Sequence, residues 1–155
     1  VLWQVGSINP AHEHFISNLV RQKIIVEIEK LPIPTKSSKN IILFLPENEL
    51  HEIGLLFNHY IARELGYKTL YLGQSVPFDD LAKIVDTFPT DIFICSFTTV
   101  VDNDVFKETL IQYSKAFSSK IFLISGFQTM NYTKKLPSNF IFFKSLADLE
   151  KKLSI

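Results

Sequence analysis

His51 lies in the stretch Glu49-Leu50-His51-Glu52-Ile53-Gly54, between the apolar run Ile41-Ile42-Leu43-Phe44-Leu45 and a long amphipathic segment. Open α/β sheets bind ligands where a strand turns into the following helix. A neutral imidazole nitrogen at that turn is a good ligand for a transition metal. A carboxylate on the other ring nitrogen fixes the tautomer and raises basicity, and both Glu49 and Glu52 are near enough in sequence to serve. No companion His or Cys stands close by to complete a tetrahedral zinc site. A lone protein ligand suits a metal that arrives already held by a macrocycle. By itself, Glu-x-His-x-x-Gly also describes a surface histidine near a helix start.

The elements around this turn follow from hydrophobic patterning. Strands are expected over 40 to 45, 68 to 72, 91 to 96, 120 to 125 and 139 to 143, all rich in Ile, Phe, Leu and Val. Helical stretches separate them over 52 to 65, 78 to 87, 102 to 116 and 146 to 153, and Ile53, Leu56, Phe57, Tyr60, Ile61 and Leu65 mark one face of the first, which stops at Gly66. Strands alternating with helical crossovers predict a doubly wound α/β fold with a five-stranded parallel sheet of flavodoxin-like order. Ahead of it, Asn9 can cap a helix over 9 to 31, Pro10 suits its first position, and Phe15, Leu19, Ile24, Ile28 and Leu31 recur at helical spacing. Pro32 and Pro34 end that helix. We therefore expect a partial helical cap over 1 to 34, a polar linker over 35 to 39 and the sheet domain over 40 to 155. The opening residues, with Leu2-Trp3-Gln4-Val5 running into Gly6-Ser7, read as the tail of an earlier helix in a longer protein.

Composition narrows the class. The 155 residues are 46% apolar, enough for one proper core. Sixteen Lys and Arg balance sixteen Asp and Glu, so the charge does not argue for holding nucleic acid through its phosphates. The single Cys95 sits in an apolar run, which excludes a disulfide framework within the chain and leaves a cytoplasmic location unopposed. No membrane span or signal segment is apparent. A phosphoacceptor aspartate is missing where the third strand ends in Ser96-Phe97-Thr98. The acidic turn Pro46-Glu47-Asn48-Glu49 would repel a flavin phosphate, and no glycine-rich dinucleotide or phosphate-loop motif is present.

Taken with the strand before it, the helix after it and the segment from Gly66 to Pro77, the motif resembles the cobalamin-binding domain family, whose lower-ligand signature is Asp or Glu, x, His, x, x, Gly. The resemblance covers essentially the whole chain. It implies that His51 is the lower axial ligand to the cobalt of cobalamin, with Glu49 beside it. It also implies that Gly54 leaves room for the nucleotide tail, which slides between the sheet and the first helix, and that Ser96 and Thr98 line the tail pocket. Trp3, followed after nine residues by Glu13-His14, is similar to the cap motif of MerR-type, CarH/LitR-like light-sensing regulators. By that resemblance Trp3 covers the upper axial group, and Glu13 and His14 border the adenosyl moiety. Read from the residues alone, Trp3 packs a helix pair, and Glu13 and His14 begin a solvated first turn.

Departures from the family pattern bear on mechanism. Its fourth strand usually ends in Gly-Gly, which lets the tail approach the backbone, whereas this chain has Ser125-Gly126-Phe127. Phe127 either fills the tail volume or turns away from it, and the sequence leaves both open. The third strand carries Ser96-Phe97-Thr98 in place of Ser-x-Leu or Ser-x-Val. Gln4 follows Trp3, where light sensors of this family can place a second histidine. The resemblance implies a sensor and no enzyme: the effector region of a MerR-family transcriptional regulator binding adenosylcobalamin or methylcobalamin. DNA contact falls to a helix-turn-helix outside this chain, and homo-oligomer assembly changes when the cap clamps onto the sheet. Two alternatives stand beside it: a ligand-free interaction module that keeps the fold, and a corrinoid carrier for methyl transfer.

Overall fold

The computed structural model describes residues 9–34 and 36–154. Its sheet holds β1 (Lys36–Pro46), β2 (Tyr67–Val76), β3 (Ile92–Ser96), β4 (Ile121–Ser125) and β5 (Phe140–Phe142), all paired in parallel in the order β2-β1-β3-β4-β5. The helices are α1 (Pro10–Lys30), α2 (Glu52–Glu64), α3 (Phe78–Thr87), α4 (Asn103–Ala116), α5 (Phe127–Met130) and α6 (Leu146–Leu153). The flavodoxin-like expectation holds, and α5, a single turn, is the helix that periodicity could not announce.

A parallel sheet covered on both faces buries every side chain of its central strands, and Ile41 through Leu45 are all fully buried. Alternation sends Ile42 and Phe44 to one face with Phe93, Phe122 and Tyr113. Ile41, Leu43 and Leu45 go to the other, against Leu55, Ala62, Leu149 and Leu153. The first face is a row of aromatic rings: Phe122 stacks on Phe140 at 4.4 Å and on Phe93 at 4.6 Å between centroids.

Three expectations need correcting. The polar stretch expected as a linker is largely strand, since β1 begins at Lys36, which pairs with Tyr67; a register shift before Asn40 absorbs the irregular pairing. β2 runs on to Val76 through Gly73 at φ 79° and Ser75 at φ 48°, two left-handed residues that bend the strand toward the β1–α2 turn. The third concerns α1. Asn9 caps it as expected, accepting from the His12 N–H at 2.9 Å, but Phe15 and Leu19 do not share a face with Ile24 and Ile28. Nine residues separate Phe15 from Ile24, about two and a half helical turns, so they lie on opposite sides. Ile24 and Ile28 are buried against Leu56 of α2, while Phe15 is 62% exposed. Likewise α2 buries Leu55 toward the sheet and Leu56 toward α1, leaving Phe57 at the surface.

His59 of α2 stacks on Tyr71 with ring centroids 5.1 Å apart, and its Nε2 lies 3.0 Å from Thr69 Oγ1. Burial, helped by the nearby Arg63 charge, lowers its pKa from 6.5 to about 4. The unfolded chain therefore takes up a proton that the folded chain refuses. Stability is full above pH 6.5 and falls progressively as pH drops toward 4. Thermal melts across that window should show a slope for wild type that His59→Phe flattens.

Candidate functional site

The site forms at the carboxyl ends of β1, β3 and β4, with α1 as its far wall. Pro46 ends β1 and the chain turns through Asn48, at φ 67°, with the Glu49 N–H donating to the Pro46 carbonyl at 2.9 Å. The extended end of β2 props this turn. The Ser75 N–H donates to the Glu49 carbonyl at 3.2 Å, the Asn48 N–H to Ser75 Oγ at 3.1 Å, and Gln74 Nε2 to the Leu50 carbonyl at 2.6 Å. His51 is the residue from which α2 starts, and its side chain makes no cap.

Glu49 is buried beneath this turn, with four donors converging on it. Its Oε2 accepts from the Thr98 and Thr99 N–H groups, each at 2.7 Å, and its Oε1 accepts from the His51 N–H at 3.1 Å and lies 2.5 Å from His51 Nδ1. Burial pushes the carboxyl up, but the Thr99 N–H, the His51 ring, the His51 N–H and the Thr98 N–H outweigh it and hold the pKa at about 2. Glu49 is thus ionised at neutral pH and can only accept, so Nδ1 of a neutral His51 carries the hydrogen and Nε2 keeps its lone pair. The side chain of His51 is 64% exposed, and its Nε2 has no partner among the described residues. A carboxylate-backed imidazole with a free ring nitrogen is the arrangement of a metal ligand. Of the two carboxylates open from sequence, the structure brings Glu49 to the ring. Glu52 instead accepts from Arg21 Nε at 2.5 Å and from Tyr71 Oη at 3.2 Å.

His51 opens onto a cleft of 1060 Å³ between α1 and the sheet ends. Glu13, His14, His51, Gly54, Ser96, Thr98 and Gly126 all line it, so the structure brings together these widely spaced residues. Trp3 and Gln4 lie outside the described residues. A Cβ built on Gly54 would meet nothing within 4 Å, so this glycine leaves open space in the cleft wall. Gly126, at φ 105°, has a different constraint: a Cβ there would fall 2.3 Å from the Phe97 carbonyl oxygen. The protein's own backbone requires that glycine. Ser96 and Ser125, on neighbouring strands, share a hydrogen bond at 2.9 Å between their hydroxyls. Phe127 opens α5, is 57% exposed and does not line the cleft. The aromatic side chain that replaces the second family glycine therefore leaves the cavity free.

Sequence reasoning missed Ser17, Asn18, Arg21 and Gln74 as lining residues. The α1 residues among them had a signal, because Glu13, Ser17 and Arg21 recur every four residues and share one helix face. Glu13 is held there by Ser17, whose hydroxyl donates to it at 2.5 Å, and lies 3.2 Å from His14 Nδ1. Among the described residues no group of three or more His, Cys, Asp or Glu side chains is placed to hold a metal ion, and no helix is long and apolar enough to cross a membrane.

Comparison with known proteins fits this geometry. No protein-family model matches the chain. Over 114 residues, 74% of its length, it is 30% identical to the HTH-type transcriptional repressor CarH of Myxococcus xanthus, of which it spans 38%. Among solved structures, the monomethylamine corrinoid protein of Methanosarcina barkeri superimposes with a TM-score of 0.78 at 13% identity, over 98% of this chain and 74% of that one. A cobalamin-binding protein from Desulfitobacterium hafniense superimposes at 0.62 with 20% identity, over 99% and 73% of the two chains. At these identities the structural likeness speaks for the fold. By sequence the chain is similar to that repressor over 74% of its own length, and its domain shares the flavodoxin-like fold of these corrinoid and cobalamin-binding proteins.

Proposed function

We propose that this chain is the cobalamin-binding effector domain of a CarH-like transcriptional regulator, with His51 Nε2 as the lower axial ligand of cobalt. The single observation that carries this reading is the Glu49–His51 pair: a buried, ionised carboxylate holds Nδ1 while Nε2 stays unpartnered at the mouth of a large cleft. The donor set fits the group. A corrin supplies the other nitrogen ligands, so one imidazole from the protein completes the set. Open space at Gly54 and the outward position of Phe127 leave the cleft clear for a bulky ligand. When bound, cobalamin would supply a cobalt centre with a cleavable bond to carbon. The protein's part would be to bind and orient it, and to shield its reactive centre with the α1 face bearing Glu13 and His14.

On this reading the domain is a sensor. Occupancy draws α1 and the sheet domain together on a shared ligand, and the change reaches DNA through a region beyond this chain. The near-neutral charge, with sixteen basic and sixteen acidic residues, suits a module that does not itself bind the phosphate backbone.

The test is uptake: adenosylcobalamin is added in the dark, the protein is desalted, and its absorption spectrum is recorded. Retention near one equivalent per chain is expected, and a colourless protein would overturn the reading. Glu49→Gln keeps the volume but loses the charge and turns one acceptor into a donor facing N–H groups. It should weaken cobalamin binding about 10- to 100-fold, as loss of a partner to a metal-ligating histidine does. Titration by absorbance checks this, and unchanged affinity would mean that Glu49 serves only the turn.

A further inference from the structure

The proposed cofactor site contains a cation that its central chemistry does not use. Arg21 lies on α1 and lines the cleft, with its side chain 44% exposed. Its Nε donates to Glu52 Oε1 at 2.5 Å, and Glu52 is fixed in turn by the Tyr71 hydroxyl. The guanidinium is therefore oriented from behind, and its Nη groups donate to no other described residue. A guanidinium has five N–H donors in a rigid plane, so anchoring one edge presents the other in a set direction. A simple helix-to-helix tether would have no need of that free edge.

We infer that Arg21 is a ligand-binding residue whose Nη groups donate hydrogen bonds to a neutral carboxamide oxygen on the rim of the corrin ring; this rests on the cobalamin reading of the cleft. Charge decides the class of acceptor. Arg21 is already neutralised by Glu52, and of the charged side chains lining the cleft two are carboxylates, Glu13 and Glu52, against the one guanidinium. An anion would meet no net positive field there, whereas an uncharged carbonyl needs only oriented donors. The corrin rim carries such amides, while the one anionic group of cobalamin is the phosphate of its nucleotide tail. The polar character of this α1 face, with Ser17 and Asn18 flanking Arg21, suits the same amide-bearing rim.

The experiment measures dark affinity for adenosylcobalamin and for adenosylcobinamide, which keeps the ring amides but lacks the tail with its phosphate, in wild type, Arg21→Met and Arg21→Lys. The lysine variant would preserve the ion pair with Glu52 but not the second donor edge. Both variants should lose about tenfold in affinity for both corrinoids, the size expected for one hydrogen bond to a charged donor. The His51-ligated spectrum should stay as in wild type in both variants, and the melting temperature of the cofactor-free protein should stay so in Arg21→Lys, which keeps the ion pair with Glu52. If Arg21→Lys binds like wild type, Arg21 is only a tether and the inference is overturned. A loss seen with the cobalamin but absent with the cobinamide would assign the contact to the phosphate and overturn it equally. Wild-type protein that takes up no corrinoid would sink the cobalamin reading and this inference together, whereas uptake that neither variant alters would sink this inference alone.

Discussion

His51→Ala is expected to lower cobalamin affinity by about 100-fold or more, because loss of a mere partner to a metal-ligating histidine already costs about 10- to 100-fold. The variant should also lose the spectrum of histidine-ligated cobalt. The physical reason lies in the preorganisation of the ring. Three backbone N–H groups position the Glu49 carboxylate, and through its contact with Nδ1 the imidazole, before any ligand arrives, so little ordering cost remains at binding. The same geometry predicts a small effect on folding. His51 is largely exposed, and its ring makes one hydrogen bond, so Glu49 would keep its three backbone donors. Absorbance titration together with a thermal melt separates the two. Equal affinity in variant and wild type, with an unchanged spectrum, would remove His51 from the metal.

Gly126→Ala should be the most destabilising single methyl group near the cleft. The new Cβ would lie 2.3 Å from the Phe97 carbonyl oxygen, 2.5 Å from its carbon and 2.7 Å from its nitrogen, so the obstruction is backbone and cannot rotate away. The φ of 105° adds a conformation that L side chains rarely adopt. Phe97 is fixed on both sides, its N–H donating to the Ser125 carbonyl at 2.8 Å and its own carbonyl accepting from Gln128 at 3.0 Å. Relief therefore requires the β4–α5 junction to move as a unit. A loss of about 3 to 5 kcal/mol is expected from strain and overpacking combined. Urea unfolding without ligand measures it. By contrast, Gly54→Ala, whose Cβ meets open space, should leave stability nearly unchanged. A Gly126→Ala protein as stable as wild type would mean that this junction is far softer than its hydrogen bonds imply.

The sheet was legible because buried parallel strands write themselves as continuous apolar runs, and helices between them end at recognisable stops such as Gly66. Strand ends were less so. Lys36 to Lys39 carry polar side chains, yet their backbone joins the sheet, and the left-handed residues Gly73 and Ser75 that extend β2 break the alternation by which strands are recognised. In α1, apolar residues recur at helical spacing on two opposite sides, so periodicity alone could not say which side meets α2; packing against Leu56 decides it. His51 and Gly54 stood out through a short motif in the right strand-to-helix context, and Ser96 only through the family resemblance. The residues alone left Glu49 and Glu52 open, and only the family motif singled out Glu49; the physical reason depends on Thr98 and Thr99, which approach only through the β1–β3 pairing. The pairing of Arg21 with Glu52 was hidden for the same reason: the two are 31 residues apart in sequence.

On the proposed reading an imidazole nitrogen of the protein, and not the cofactor's own base, stands on cobalt. Electron paramagnetic resonance of the protein loaded with cobalt(II) cobalamin, produced once with ordinary histidine and once with histidine labelled with nitrogen-15 in its ring, tests it most directly. A nitrogen-14 ligand splits each cobalt line into three and a nitrogen-15 ligand into two. Conversion of triplets to doublets by the label, lost in His51→Ala, is the predicted result. Triplets that persist in the labelled protein would place the cofactor's benzimidazole on the metal and contradict the account.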